Sequence, residues 1–276
     1  MGRKIFGNTV GIMNNIRGIQ GKKKSLRKEY KNKQSEFARN EYLALGQPYD
    51  KLLMHEIKLK FQKMIEDDRY SRIGPQYDGK VYMRDLNEPE KDIPEITKLL
   101  TPDLVEELNA YYHGYFRVNR ITAWRNYGIP KSVDEKKELL SNRWHCDYRV
   151  TYYTKLFVNI SDVGEDDGPF HIFSRNQTKK IMKQGFKNRF DYGAPHKLLE
   201  DEKHVFKAVG PSGTACLANT ELCLHRAGTP SEGHYRDVIQ LRFGPSKKPL
   251  NSEWIKDVPN WKEVQKLREL KQGIND

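Results

Sequence analysis

The chain has 276 residues, of which 37% are hydrophobic, 11% aromatic and 31% charged, so it can bury the core of one large domain. The chain contains no apolar run of about 18 residues, so the sequence predicts no transmembrane helix. Its three cysteines, Cys146, Cys216 and Cys223, form no C-x-x-C pair, which argues against a disulfide framework and against a structural zinc site. We therefore expect a reducing compartment, the cytoplasm.

The net charge of +12 is concentrated at the start of the chain. Residues 1–33 carry ten basic side chains and one acidic side chain, whereas the remaining residues carry 39 basic and 36 acidic ones. We expect residues 1–35 to form a basic arm and residues 36–276 to form a single domain. Such an arm either attaches the protein to an anionic polymer or membrane surface or is a solvated tail, and the sequence leaves both interpretations open.

Two helices are predicted in the first half of the chain. Asp50 is a suitable N-cap, and Thr101 with Pro102 provides a capping hydroxyl followed by proline at the first helical position. Apolar residues recur at steps of three and four after Asp50, at Leu52, Leu53, Ile57, Phe61, Met64 and Ile65. This stripe is expected to pack against the outside of a sheet.

The chain after Gly114 is typical of β-structure. Residues 116–124 and 150–160 are rich in β-branched and aromatic side chains, and residues 238–243 alternate as a final strand would. Short strand-like segments elsewhere are separated by turn signals containing glycine and proline, which predicts an antiparallel sandwich or barrel. The basic segment 179–189 is expected to be an insertion between strands, and residues 260–270 to be a C-terminal helix.

The stretch Trp144-His145-Cys146-Asp147 carries the strongest chemical signal. On a strand, His145 and Asp147 would point to one side and Cys146 to the other, because side chains alternate. A second imidazole from His225 would complete two histidines and one carboxylate. That set is the ligand triad of non-haem Fe(II) oxygenases, which leaves positions open for a co-substrate and oxygen.

A series of landmarks in the same order resembles the phytanoyl-CoA dioxygenase-like group of Fe(II)- and 2-oxoglutarate-dependent oxygenases. The landmarks are residues 144–147, 155–163, 166–170, 210–217, 225–228 and Arg236, within a matching region of about residues 100–245. The resemblance implies a mainly β fold, the double-stranded β-helix or jelly roll, with flanking N-terminal and C-terminal helices.

The resemblance also implies roles for individual residues. His145, Asp147 and His225 correspond to the iron ligands, and Arg236, 11 residues after His225, corresponds to the arginine that binds 2-oxoglutarate. A guanidinium is a planar, permanently charged clamp for a carboxylate, which makes this role chemically sensible.

Three further residues, Asn126, Tyr153 and Lys155, are candidates by position to contact 2-oxoglutarate. The implied cofactors are Fe(II), 2-oxoglutarate as co-substrate and O2, with ascorbate as a candidate reductant. The implied reaction is hydroxylation of an unactivated C–H of a small metabolite or natural product, with release of succinate and CO2. A carboxylate at Asp147 favours hydroxylation over halogenation, because similar halogenases have a small residue there.

The sequence departs from the family pattern at residues 173–176, Phe-Ser-Arg-Asn, where many members have a Pro-Gly-Ser-His turn beside the substrate entrance. The substrate is therefore left open. Two other functions also remain: a cupin-like metal-binding jelly roll without 2-oxoglutarate chemistry, and a binding module that works through the basic arm. A cupin-like protein has no need of a buried arginine facing the metal, so Arg236 argues against that function. The alternative for Arg236 is an ion pair with Asp237 or Glu232.

Four other residues are weaker candidates for the site. Trp124 and Trp144 are candidates for lining the pocket, and His171 is a candidate for substrate contact. Cys223 would share a face with His225 on a regular strand and so lie near the metal. For the two tryptophans and the thiol, a buried core position is the alternative.

Overall fold

Residues 27–147, 152–186, 199 and 202–258 are described by the computed structural model. Antiparallel β-sheets form the body of this part of the chain, as the sequence predicts. Within these residues, no helix combines the length and the apolar character needed to cross a membrane. The predicted C-terminal helix at 260–270 and residues 1–26 of the predicted arm lie outside the described residues.

The strands are β1 (Tyr42–Gly46), β2 (Ser71–Ile73), β3 (Gln76–Tyr77), β4 (Lys80–Val81), β5 (Met83–Leu86), β6 (Tyr115–Tyr127), β7 (Thr154–Asn159), β8 (Phe170–Phe173), β9 (Val205–Lys207), β10 (Ala215–Ala218), β11 (His225–Ala227) and β12 (Tyr235–Ser246). The α-helices are α1 (Phe37–Asn40), α2 (Lys51–Ile65), α3 (Pro89–Asp92), α4 (Pro102–Tyr112), α5 (Lys131–Asp134) and α6 (Arg175–Lys183). Short 3-10 turns occur at Lys28–Tyr30, Pro94–Leu99, Glu165–Asp167, Glu202–His204 and Trp254–Asp257.

Two antiparallel sheets make up the body of the domain. The larger has seven strands in the order β1-β10-β7-β12-β6-β5-β2, and the smaller has three strands in the order β11-β8-β9. Strands far apart in sequence are neighbours, and residues of both sheets line one cavity. The predicted mainly β jelly roll is therefore confirmed.

The central strand β12 has two different faces. One face is apolar and joins the main hydrophobic core through Ile239, Leu241 and Phe243. The other face lines the cavity through Arg236, Val238, Gln240 and Arg242. Because side chains alternate along a strand, this single sheet separates the core from the site.

Helices α2 and α4 cover the apolar face of the large sheet, and both begin where the sequence predicts. The Asp50 carboxylate accepts hydrogen bonds from the amides of Leu52 and Leu53, and the Thr101 hydroxyl caps α4. The prediction for Leu52 is wrong, because its side chain is 73% exposed, whereas Met54 is buried. Two residues correspond to about 200° around a helix, so Leu52 and Met54 point in nearly opposite directions.

Two other segments differ from simple strand-based expectations. His145 does not lie on a regular strand but forms an isolated antiparallel bridge with His225. The basic segment after β8 begins as helix α6, capped by the Ser174 hydroxyl, and its residues 187–189 lie outside the described part.

Residues 27–35, at the end of the predicted basic arm, contact helix α4 and its C-terminal end. The Arg27 amide donates to the His113 carbonyl at 2.9 Å. Lys33 pairs with Glu106 at 2.5 Å, and the Ser35 hydroxyl donates to Glu107. This part of the chain is thus attached to the domain, while the boundary at residue 35 stays a prediction.

A buried ion pair joins β6 to β12 on the apolar side of the sheet. The Arg125 guanidinium donates two hydrogen bonds of 2.7 Å to Asp237, one to each carboxylate oxygen. The Asp237 side chain is fully buried, and Arg125 also contacts Glu66 at 3.0 Å. Burial raises the pKa of Asp237, so the carboxylate depends on its partner to remain charged.

Replacing Arg125 with alanine is expected to lower the free energy of unfolding by about 3–5 kcal/mol, because it leaves a buried carboxylate without its partner. Urea denaturation followed by circular dichroism measures this loss. The matched control is Arg69→Ala, which removes an exposed ion pair with Asp67 and should leave stability nearly unchanged. Equal losses in the two variants would contradict the role given to the buried pair.

Candidate metal centre and cavity

His145, Asp147 and His225 converge at one point of the structure. His145 and His225 exchange two backbone hydrogen bonds of 3.0 and 2.9 Å, which place their ring centroids 4.3 Å apart. The Asp147 amide donates to the Thr220 carbonyl at 2.9 Å, which brings its carboxylate to the same place. The structure therefore brings together all three predicted ligands across the 78 residues that separate Asp147 from His225.

The donor atoms of the three side chains lie close enough together to hold one ion after a small inward movement. The Asp147 Oδ1 atom lies 3.6 Å from His145 Nε2 and 3.9 Å from His225 Nε2, and all three donor atoms lie within 4.8 Å of one another. Ligands about 2.1 Å from one ion lie roughly 3 Å apart when they meet at a right angle. Two imidazoles and one carboxylate form the ligand set preferred by non-haem iron.

Backbone carbonyls fix which nitrogen of each imidazole faces the site. His145 Nδ1 lies 2.7 Å from the Arg143 carbonyl, and His225 Nδ1 lies 3.1 Å from the Cys223 carbonyl. A carbonyl only accepts hydrogen bonds, so each Nδ1 carries a proton, and in the neutral imidazole the lone pair is on Nε2. Burial lowers the pKa of His225 to about 3, which keeps this ring neutral and able to bind a metal at neutral pH.

The second oxygen of the Asp147 carboxylate is held by two neighbours. Oδ2 accepts hydrogen bonds from Lys155 Nζ at 2.7 Å and from the Thr220 hydroxyl at 2.6 Å, which leaves Oδ1 directed toward the imidazoles. Burial alone would raise the pKa of Asp147, but the positive charge of Lys155 and the hydrogen bond that it donates help to hold the pKa well below its usual range. Asp147 is therefore an ionised ligand with one oxygen available.

The triad opens into a cavity of about 470 Å³ between the two sheets. Its lining includes all four residues predicted to bind 2-oxoglutarate, Arg236, Asn126, Tyr153 and Lys155, together with Trp124. The aromatic side chains of Trp124, Phe157 and Phe170 give part of the wall an apolar surface. This combination of a few polar groups on an apolar wall is typical of small-molecule sites.

Arg236 is directed into the cavity and does not pair with its neighbour in sequence. It is only 3% exposed, and one guanidinium nitrogen donates to the Gly168 carbonyl. Its Nε is buried without a hydrogen bond, as is Oδ1 of Asn126, which lies directly opposite it on β6. Asp237 points to the other face of β12 and binds Arg125, which removes that ion-pair alternative for Arg236.

The buried position of Arg236 in the cavity favours the binding of an anion. Burial lowers the pKa of the Arg236 guanidinium to about 10, because a charged group loses its hydration there. The group remains protonated at neutral pH and faces the cavity with an unsatisfied donor. A carboxylate placed there would satisfy both its charge and its free hydrogen-bonding capacity.

A close backbone contact accounts for two of the glycine-containing landmarks. Gly168 adopts φ +66° and carries the carbonyl that binds Arg236. A side chain on Gly168 would meet the backbone of residues 228–230, and one on Gly228 would meet Pro169 and Gly168 at 2.5–2.9 Å. The two loops can approach this closely only because Gly168 and Gly228 have no side chains. Their contact places the Gly168 carbonyl beside Arg236.

Of the four weaker candidates, one lines the cavity and three lie outside its lining. Trp124 lines the cavity, whereas Trp144 packs against Phe173 at 4.6 Å outside it. His171 faces away from the cavity, where burial lowers its pKa to about 3, and no substrate contact follows for it. Cys223 is buried in a small apolar cluster, and burial raises the pKa of its thiol, so it is an inert core residue.

Sequence reasoning misses Thr220, Arg120 and Arg242. Thr220 binds the outer oxygen of Asp147, and its only signal is its place five residues before His225. Arg120 and Arg242 line the cavity. Arg242 lies six residues after Arg236, so strict alternation along the final strand places it on the same face.

Several known structures share this fold at low sequence identity. The non-heme alpha-ketoglutarate-dependent epimerase SnoN from nogalamycin biosynthesis aligns with a TM-score of 0.55 at 13% identity, covering 81% of this chain and 87% of SnoN. AviO1 from Streptomyces viridochromogenes Tue57 aligns with a TM-score of 0.51 at 15% identity, covering 77% and 93%. EctD from S. alaskensis, with 2-oxoglutarate and 5-hydroxyectoine, aligns with a TM-score of 0.51 at 12% identity, covering 77% and 78%.

No protein-family model matches the chain, and no curated protein matches it in sequence. At identities of 12–15%, the structural likeness establishes the fold alone. The fold implied by the resemblance is confirmed, while the narrower phytanoyl-CoA dioxygenase-like assignment is not. The chain thus has the jelly-roll fold on which alpha-ketoglutarate-dependent enzymes such as SnoN are built.

Replacing Thr220 with valine is expected to weaken Fe(II) binding about tenfold, because Asp147 loses one of the two donors that orient its carboxylate. Anaerobic calorimetric titration with Fe(II) measures the change. Thr97→Val is the matched control, since the Thr97 hydroxyl bonds only the nearby Pro94 carbonyl. Unchanged affinity in Thr220→Val would show that this hydroxyl does not support the metal site.

Proposed function

We propose that this protein is an Fe(II)- and 2-oxoglutarate-dependent dioxygenase that hydroxylates an unactivated C–H of a small metabolite or natural product. Succinate and CO2 would be the products of the co-substrate. The observation that carries the proposal is one cavity that contains both a two-histidine, one-carboxylate triad and a buried arginine with an unsatisfied donor. Neither feature alone would indicate this chemistry.

His145, Asp147 and His225 are the residues that would hold Fe(II). Their donor atoms face one another. The outer atoms of the imidazoles are held by the Arg143 and Cys223 carbonyls, and the outer oxygen of the carboxylate by Lys155 and Thr220, so all three side chains are oriented as metal ligands are. When bound, the metal with 2-oxoglutarate supplies the activation of oxygen that side chains cannot perform.

Arg236 would bind the carboxylate of 2-oxoglutarate that is remote from the metal. Its buried, unsatisfied Nε and its fixed contact with Gly168 indicate an arginine positioned for a ligand rather than for a surface ion pair. Asn126, opposite Arg236, would contribute its amide to the same carboxylate. Tyr153 and Lys155 stay weaker predictions for this role, because Lys155 already donates to Asp147.

The alternatives have less support from these residues. A cupin-like protein without 2-oxoglutarate has no use for Arg236 in the cavity. A halogenase would need a small residue in place of Asp147, whereas this carboxylate is ionised and hydrogen-bonded. A binding function of the basic arm rests on residues that lie mainly outside the described ones, so attachment to an anionic polymer or membrane stays a sequence prediction.

The reaction class is tested by succinate formation from 2-oxoglutarate with added Fe(II), ascorbate and O2. We expect slow turnover by the native protein even without its substrate, and its loss in His225→Ala, because two protein ligands do not retain the metal in place. His55→Ala, on the exposed face of α2, is the matched control and should keep native turnover. Succinate formation that is independent of His225 would contradict the proposal.

Replacing Arg236 with glutamine is expected to weaken 2-oxoglutarate binding by about tenfold to a hundredfold, since hydrogen bonds to a charged group are lost. Anaerobic calorimetry on the Fe(II)-loaded protein measures the affinity. Arg69→Gln, at an exposed arginine, is the control, and Arg236→Lys should recover part of the affinity. Native affinity in Arg236→Gln would move the co-substrate site elsewhere.

A further inference from the structure

The outer oxygen of the Asp147 carboxylate has two hydrogen-bond donors that differ in charge. Lys155 Nζ donates to Oδ2 at 2.7 Å, and the Thr220 hydroxyl donates to the same atom at 2.6 Å. The ammonium of a lysine carries a positive charge, whereas a hydroxyl is neutral. One oxygen of the carboxylate therefore contacts a positive charge, while the other, Oδ1, faces the imidazoles of His145 and His225.

The fold brings Lys155 to this carboxylate from the large sheet. Lys155 lies on β7 directly opposite Ala218 of β10, and Thr220, whose carbonyl binds the Asp147 amide, follows two residues after Ala218. Among the described residues, Asp147 is the one with which Lys155 forms an ion pair, and the two side chains are only 19% and 23% exposed. Solvent and salt therefore screen this pair less than they screen a surface pair.

The strand register separates Lys155 from the position proposed for the remote carboxylate of 2-oxoglutarate. Lys155 lies opposite Arg242 on β12, six residues beyond Arg236, which corresponds to about 20 Å along the strand. 2-Oxoglutarate is about as long as two extended residues, roughly 7 Å. Lys155 is therefore not placed to bind the remote carboxylate together with Arg236, and its contact in the site is with a candidate metal ligand.

A positive charge next to a metal ligand acts differently on the two oxidation states of iron. It repels Fe(III) more strongly than Fe(II), because Coulomb repulsion grows with the charge of the ion. Hydrogen bonds and charges around the ligands of a metal are known to tune its reduction potential. The Lys155 ammonium would therefore favour Fe(II), the oxidation state that the proposed reaction requires, whereas the neutral Thr220 hydroxyl would have a smaller effect.

We propose that Lys155 is a positioning residue that acts through Asp147 to keep iron at the triad as Fe(II). Together with Thr220 it orients the carboxylate, and it adds a positive charge that Thr220 does not supply. Outside turnover, one electron can pass from Fe(II) to O2, which leaves Fe(III) and superoxide, and ascorbate can return an electron to Fe(III). Lys155 makes the first of these transfers less favourable. This inference rests on the proposed function, because it requires iron at the triad.

The midpoint potential of the Fe(III)/Fe(II) couple tests this role, because a residue that only stabilises the fold would not change it. Iron-loaded full-length protein without 2-oxoglutarate is titrated anaerobically in the presence of redox mediators, and the electron paramagnetic resonance signal of high-spin Fe(III) reports the oxidised fraction. In Lys155→Met, we expect the ratio of Fe(III) to Fe(II) at a fixed potential to rise about tenfold, which lowers the midpoint potential by about 59 mV.

Further variants separate the charge of Lys155 from its hydrogen bond. Lys155→Arg keeps the charge and should retain most of the native potential, whereas Lys155→Gln keeps a polar donor without charge and should lower the potential as Lys155→Met does. Thr220→Val removes the neutral donor from the same oxygen and should lower the potential by less than half as much. Lys60→Met, which breaks an ion pair with Glu95 away from the cavity, is the matched control. Thermal unfolding verifies that every variant is folded.

Different outcomes separate this inference from the proposed function. A native potential in iron-loaded Lys155→Met or Lys155→Gln would overturn the inference and leave the proposed function standing. An equal fall in Thr220→Val and Lys155→Met would also overturn it, because the hydrogen bond rather than the charge would then set the potential. A lowered potential in Lys155→Met, with native protein that binds iron but not 2-oxoglutarate, would support the role of Lys155 and refute the oxygenase. Native protein that binds no iron at the triad would refute both.

Discussion

The two backbone hydrogen bonds between His145 and His225 are the interaction on which the site depends. They join an irregular segment to strand β11 of the small sheet. The segment around His145 is not part of a regular strand, so this pair of bonds is an isolated bridge. Because the residues are directly paired, their imidazoles lie side by side, and the Asp147 carboxylate reaches the same point from the next outward-pointing position. This backbone contact fixes the positions of the two imidazoles, and the bond from the Asp147 amide to the Thr220 carbonyl places the third candidate ligand beside them.

The alternation of side chains along β12 is the second constraint, because it assigns opposite tasks to adjacent residues. Asp237 turns to the apolar side and is neutralised by Arg125, while Arg236 turns into the cavity and keeps a donor without a partner. Burying a charge without a partner costs free energy of desolvation. A bound anion would offset that cost for Arg236. The same strand therefore contributes both to the core and to the proposed chemistry.

Much of the fold follows from local signals, because those signals act over a few residues. The helix caps at Asp50 and Thr101 and the final strand near residues 238–243 lie where the sequence predicts them. Leu52 shows the limit of apolar spacing alone, since it belongs to an apolar run but points to solvent. The fold class also follows, because many short strands with glycine and proline turns have few alternatives other than a closed antiparallel architecture.

Some residues of the site can also be predicted from the sequence, whereas others cannot. The His145-x-Asp147 pair can be recognised from the sequence, although the segment is not a regular strand, and His225 with Arg236 is found through the resemblance. Thr220 and Arg120 could not be assigned. Thr220 gains its role from Asp147, which the fold brings to it, and Arg120 gains its place on the cavity wall from the strand register of β6. Sequence alone does not contain that register, which is set by how the strands pair.

The most direct test of the account is an anaerobic crystal structure with Mn(II) and 2-oxoglutarate, in which anomalous scattering locates the metal. The account predicts one metal bound by Nε2 of His145, Nε2 of His225 and Oδ1 of Asp147, with the remote carboxylate of 2-oxoglutarate on Arg236. A metal bound elsewhere, or 2-oxoglutarate held by Arg120 and Arg242 with Arg236 untouched, would contradict it.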